Sequence, residues 1–135
     1  MPSDLACPCG RTDARGRPVA YTACCGRYLG DFAGTPAPDA ESLMRSRYTA
    51  FVREDADYLR ATWHPSQRPP SIGFDPGTRW LGLEVRRPAV QDADRAEVEF
   101  VARQRDAGGR AYRLHERSRF VREDGRWYYL DGDVR

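Results

Sequence analysis

Cysteine is confined to one stretch of this chain: Cys7, Cys9, Cys24 and Cys25 fall within the first 25 residues, and the remaining 110 contain none. Such clustering points to one site. Cys-Pro-Cys-Gly over 7–10 puts two thiols on a tight turn, and Cys24-Cys25-Gly26 offers a second pair. Four thiolates close a tetrahedron around zinc, and a closed cage leaves no position for a reacting water, so the expected metal role is structural. A pair of disulfides competes with this reading, but adjacent Cys24 and Cys25 bridge each other only with strain. Free or redox-active thiols are the third reading. The opening Met1-Pro-Ser-Asp-Leu-Ala has neither a basic n-region nor an apolar h-region, so a cytoplasmic location with reduced thiols is expected. Between the half-sites, Arg11 to Ala23 carries Asp13, Gly16 and Pro18 and reads as a polar excursion.

The cysteines need a domain to sit on, and 135 residues suit one of ordinary size with a small appendage. A composition 40% hydrophobic and 11% aromatic supports a buried core, and no apolar run is long enough for a membrane span. Every one of the 22 basic residues is arginine, yet 20 acidic residues leave a net charge of only +2, so no broad footprint for nucleic acid is present. A local basic patch of Arg11, Arg15, Arg17 and Arg27 remains beside the cysteines.

Gly30 to Pro38 is a Gly- and Pro-rich connector, and Asp39 is placed to cap a helix. Leu43, Met44, Tyr48, Phe51 and Val52 recur at helical spacing with arginines among them, which predicts an amphipathic helix from Ala40 to about Glu54. A second short helix follows, capped by Asp55 or Asp57, burying Tyr58, Leu59, Thr62 and Trp63 and ended by His64-Pro65. From Arg79 the period changes to two, with strands expected at 79–87, 96–105, 110–122 and 126–131 and turns at 91–94, 106–109 and 123–126. Helices followed by an antiparallel meander make an α+β fold, a half-open cone of curved sheet packed on the N-terminal helices.

Alternation in the third strand places Tyr112, Leu114, Glu116, Ser118 and Phe120 on one face and Arg113, His115, Arg117 and Arg119 on the other. Glu116 is the one carboxylate in the inward set. It is either a general base or ligand anchor, or half of a buried ion pair with Arg45 or Arg47 of the first helix, and the ion pair is the preferred reading. His64 is either an acid or base at the rim or a histidine capping the last helical carbonyls, the latter preferred, while His115 is expected to face solvent. Tyr48, Trp80 and Tyr129 are expected to line the concave face. Trp80, Trp127, Tyr128 and Tyr129 could stack on a ligand ring, although strand aromatics are commonly core. No nucleophile elbow, second histidine paired with His64, or phosphate-binding loop accompanies them.

Leu43-Met-Arg-Ser-Arg-Tyr-Thr-Ala-Phe51, Thr62-Trp-His-Pro-Ser66, Trp80-Leu-Gly-Leu83, Val98-Glu-Phe-Val-Ala102, Glu116-Arg-Ser-Arg-Phe120 and Trp127-Tyr-Tyr-Leu-Asp-Gly132 together resemble the bacterial YchJ-like family. The cysteine segment resembles the SEC-C zinc motif, named for the C-terminus of the protein-export motor ATPase. These resemblances imply Cys7, Cys9, Cys24 and Cys25 as zinc ligands, a zinc knuckle over residues 1–30 and an NTF2-like domain over 31–135. The fourteen residues between the half-sites are more than is usual for that motif, and Arg11-Thr-Asp-Ala replaces a Ser-Gly-Lys-Lys stretch.

Two functions follow. The preferred one is an adaptor whose knuckle docks on a protein or RNA partner through Arg11, Arg15, Arg17 and Arg27. The other is a small-molecule-binding cone, with isomerase- or hydrolase-type acid–base chemistry from Glu116 and His64. A homodimer is a fold-level expectation, and no membrane partner is expected. Stripping zinc is expected to unfold residues 1–30 and leave the α+β domain intact.

Overall fold

The computed structural model describes residues 5–135. The leader-free reading of the opening rests on Met1 to Asp4, which lie outside the described residues. What reads in sequence as a polar excursion folds back on itself, with Cys7 N–H donating to Val19 O at 2.8 Å and Val19 N–H to Arg11 O at 3.0 Å. A 3-10 turn at Tyr21–Ala23 and the short helix α1, Gly26–Leu29, then carry the second cysteine pair.

Helix α2 spans Ala40–Val52, and the Asp39 carboxylate accepts from Ser42 N–H at 2.7 Å as its cap. Helix α3 spans Ala56–Ala61 and begins on the Asp55 carboxylate, which accepts from Tyr58 N–H at 3.0 Å. The four strands β1 (Arg79–Asp92), β2 (Arg95–Arg105), β3 (Ala111–Glu123) and β4 (Arg126–Val134) form one antiparallel sheet in sequence order. β1 runs five residues beyond the expected end at 87. Pro88 does not stop it, because β1 is an edge strand and a missing N–H there need cost no ladder bond. β4 likewise runs three residues past 131.

Two irregularities aim the inner face. At Gly82, φ is +150°, a conformation that favours glycine, and the register slips between Trp80 and Gly82. Trp80 therefore packs inward, Leu81 is exposed, and Leu83 and Val85 pack inward again. Between Arg119 and Phe120 the pairing with β4 also shifts, which sets Tyr129 opposite Phe120. Ala96, Val98, Phe100, Ala102 and Phe120 bury on this face against the helices. The opposite face is a lattice of ion pairs and hydrogen bonds: Arg117 pairs with Glu97 and Arg119 with Asp131 and Asp133, and His115 Nε2 lies 2.6 Å from a Glu99 carboxylate oxygen. His115 is thus half-buried and paired rather than free in solvent, because Glu99 lies one strand away on the same face.

α2 departs from the amphipathic expectation. Ser42, Ser46, Arg47 and Thr49 are buried along with Leu43, Met44 and Tyr48: the cysteine segment meets Ser42 and Thr49, Ser46 bonds to Tyr58 of α3, and Arg47 lies against Trp63 and Tyr129. Arg45 Nη1 donates to Cys9 O at 3.0 Å, and Thr49 Oγ1 lies 3.7 Å from Cys7 Sγ. The four cysteines share one buried cluster with Leu43, Leu59 and Phe120. This shared packing removes the basis for expecting metal loss to leave the α+β domain untouched.

Candidate functional site

Two sites flank α2. At the first, the Sγ atoms of Cys7, Cys9, Cys24 and Cys25 all lie within 4.8 Å of one another, and all four residues are buried. A tetrahedral thiolate site with bonds of about 2.3 Å has edges of about 3.8 Å, and the Cys9–Cys24 edge is 3.6 Å. The cysteines are free thiols. Packed this closely, their charges conflict. Hydrogen bonds from Cys25 and Cys9 hold Cys7 far below the usual thiol range, Cys24 is pushed up to about 12 by burial and the neighbouring sulfurs, and Cys25 is pushed higher still by its hydrogen bonds to Cys7 and Cys9. A divalent cation removes the conflict by taking all four as thiolates. The donor set suits a metal and leaves no coordination position open.

Around it, the four arginines differ in how they are engaged. Arg11 pairs with Glu41 at 3.4 Å and donates to Ser42 Oγ. Arg27 donates to Cys24 O at 3.0 Å and Tyr28 OH at 2.9 Å, and lies over the Tyr28 ring. Arg15 and Arg17 are exposed on the fold-back, whose turn is held by their backbone N–H groups donating to Asp13.

On the other side of α2 is a cavity of about 290 Å³ between the helices and the concave face of the sheet. Tyr48, Trp80 and Tyr129 line it as expected, together with Met44, Phe51, Phe100, Phe120 and Leu114. Its polar groups are Arg47, Trp63, Glu116, Ser118 and the Tyr129 hydroxyl.

Glu116 makes no ion pair with Arg45 or Arg47. Arg45 is 2.9 Å from Glu41 instead, and no carboxylate lies within 4 Å of Arg47 among the described residues. Glu116 Oε2 accepts from Ser118 Oγ at 2.6 Å and from Tyr129 OH at 3.1 Å. Its seat is Gly132, where any Cβ would collide with that oxygen. Burial and the Glu116 charge together push the Tyr129 phenol above its ordinary range.

Arg47 is the residue whose role the sequence did not disclose. Its guanidinium is buried over the corner formed by the edge-to-face rings of Trp63, at 5.1 Å, and Tyr129, at 4.5 Å. Nη1 donates to Leu59 O at 2.8 Å and Thr62 Oγ1 at 2.7 Å, and these are its hydrogen bonds. Burial pulls its pKa down to about 10 against the opposing pull of Tyr129, Tyr58 and Glu116. Beside it, Trp63 Nε1 is buried with no hydrogen-bond partner among the described residues. The signal available in sequence was an arginine on the helix face continuous with Met44, Tyr48 and Phe51. Its apolar neighbours come from α3 and β4, which local periodicity does not bring together.

His64 does not line the cavity. Its Nε2 lies 2.6 Å from Glu123 Oε2, its Nδ1 2.7 Å from Ser66 Oγ, and its backbone N–H donates to Tyr129 O at 2.8 Å. The capping role fails for the same reason: the chain after α3 turns to pair with β4 rather than staying on the helix axis, so no acid–base couple of His64 with Glu116 is assembled. Trp127 is core, and Tyr128 packs edge-on to the His64 ring.

Helices closing a curved antiparallel meander over a cavity, with four convergent cysteines at the N-terminal side, define an NTF2-like cone joined to a SEC-C type cysteine site. Residues 39–132 match the family described as YchJ, middle NTF2-like domain. The chain belongs to the YchJ-like family, relatives of which bear the name UPF0225 protein. The relative from Polaromonas sp. strain JS666 is 74% identical over the whole of both chains, and that from Polaromonas naphthalenivorans is 62% identical over 94% of this chain and 96% of its own. A SEC-C motif containing protein from Rhodopseudomonas palustris, solved in solution, is similar with a TM-score of 0.79 at 34% identity, covering 97% of this chain and 99% of that one. A sec-c motif containing protein from Psychrobacter arcticus gives 0.76 at 31%, covering 96% and 82%. No helix among the described residues is long and apolar enough to cross a membrane.

Proposed function

We propose that this protein is a small-molecule-binding NTF2-like domain of the cytoplasm, whose N-terminal cysteines hold a structural zinc ion. The observation that carries it is the cavity: it is not collapsed, and its walls combine an aromatic lining with a carboxylate and a guanidinium that make no direct ion pair with each other. Its volume stands at the small end of ligand sites. Zinc is the metal that four thiolates in a closed tetrahedron select, and its part is to hold the N-terminal segment against α2. Docking through the cysteine segment has less support, because Arg11 and Arg27 are occupied and only Arg15 and Arg17 stand free of side-chain partners among the described residues.

The test is native mass spectrometry of protein purified gently from its own host. The expected mass is the chain plus one zinc plus a small organic molecule, with the molecule lost on mild activation. Zinc-loaded protein that never carries or takes up a small molecule overturns the binding reading, and protein that purifies without metal overturns the zinc assignment.

A further inference from the structure

The polar groups of the cavity are unequally satisfied. Glu116 receives two hydroxyl donors, both on Oε2. A guanidinium has five N–H donors, and Arg47 uses only Nη1, which leaves its Nε and Nη2 edge without an acceptor among the described residues. Trp63 Nε1, on the same wall, also lacks one. The cavity therefore has donors to spare, one of them cationic, buried and with no carboxylate within 4 Å among the described residues. What this arrangement lacks is an anionic acceptor.

We infer that the cavity takes a small aromatic carboxylate, its ring against Tyr48, Phe51 and Trp80 and its carboxylate received by Arg47 and the indole N–H of Trp63. This inference rests on the ligand-binding reading of the cavity and names the class of ligand. A neutral amide head would satisfy donors but leave the guanidinium uncompensated, and an ammonium head on the same donors would face Arg47 with like charge. A cavity of about 290 Å³ has room for the liquid volume of about ten waters, which suits one ring with a short acidic arm. Two aromatic faces on Arg47 hold it in place before any ligand arrives, so the carboxylate meets a preorganised donor.

Four probes with one body separate the possibilities: 3-phenylpropanoate, 3-phenylpropanamide, 3-phenylpropylamine and propylbenzene, titrated into the zinc-loaded full chain and followed by amide and indole NMR. The three tryptophans give three indole signals, assignable by substitution. The expected order is acid over amide by about tenfold or more, with the amine weakest and the Trp63 indole proton moving downfield only with the acid. Trp63→Phe, which removes a donor that has no partner in the fold, should weaken the acid by about tenfold and leave propylbenzene unchanged. An amine that binds best, or an acid no better than propylbenzene, overturns the carboxylate class while leaving the binding cavity standing. A Trp63 signal unmoved by a bound acid overturns the assigned receiving pair. If none of the four perturbs residues of the cavity, the binding reading fails and this inference with it.

Discussion

The cysteine site and the cavity lie on either side of α2, and they differ in how completely their polar groups are matched to one another. On the cysteine side the surrounding groups are engaged within the protein: Arg45 between Glu41 and Cys9 O, Arg11 on Glu41 and Ser42, Arg27 on Cys24 O and Tyr28, and Thr49 close to Cys7 Sγ. On the cavity side Trp63 Nε1, one edge of Arg47 and one oxygen of Glu116 have no partner among the described residues. Buried donors are normally paired, so the unpaired ones mark where the protein is not finished by its own chain. The lesson is that completeness within the fold indicates holding, and a deliberate shortfall indicates receiving.

The comparison breaks most decisively at the cysteines. Cys25→Ala should abolish stoichiometric zinc and destabilise the whole domain by more than about 5 kcal/mol, since structural zinc contributes folding energy and this site shares its core with α2. Scanning calorimetry with parallel metal analysis checks this, and a cone that melts at the wild-type temperature without metal would show the two regions to be independent. The seam between them can be probed with base. Ser46 Oγ and Tyr58 OH are 2.7 Å apart, and burial pushes the Tyr58 phenol up to about 12. A folded pKa raised above the unfolded value of about 10 gives stability that is full below pH 10 and lost as pH rises toward 12, on the order of 2 kcal/mol. Tyrosine absorbance followed beside unfolding free energy from pH 9 to 12 should show delayed ionisation with falling stability.

On the cavity side the expected costs are small. Arg47→Met relieves a buried charge held on the order of 3 kcal/mol above its solvated cost but forfeits hydrogen bonds to Leu59 O and Thr62 Oγ1 at about 1 kcal/mol each. The net change in urea denaturation should fall within about 1 kcal/mol of wild type. A loss above about 3 kcal/mol would make Arg47 an anchor like Arg45 and erase the contrast between the two sides. Smallest of all, Glu123→Gln should shift stability by less than about 0.5 kcal/mol and leave cavity resonances in place, because its partner His64 sits outside the cavity and Glu123 is exposed.

The parts legible in sequence were those set by short-range rules. The cysteine spacing, the Asp39 and Asp55 caps, and the inward set of Leu114, Glu116, Ser118 and Phe120 all follow from residues a few positions apart. The misread parts depend on register between distant segments. The seat of Glu116 on Gly132 requires the slip between Arg119 and Phe120, His64 meets Glu123 across 59 residues, and the aromatic clamp on Arg47 requires Trp63 to lie beside Tyr129. An arginine on a helix face carries no mark of whether its neighbours will be water, a carboxylate or two rings. Only the assembled sheet decides.

One pairing outside the sheet bears on how the molecule comes into being. Tyr129 N–H donates to Thr62 O at 2.8 Å and its carbonyl accepts from His64 N–H, so the segment after α3 is stitched to the last strand. On a translating ribosome the cysteine pairs, fifteen residues apart at Cys9 and Cys24, emerge early and close a short loop at little entropic cost. The aromatic clamp on Arg47 has to wait until Tyr129 is made. A nascent chain thus acquires its metal-binding ligands long before it has a receptor, and readiness to bind becomes a sign that synthesis has passed through β4.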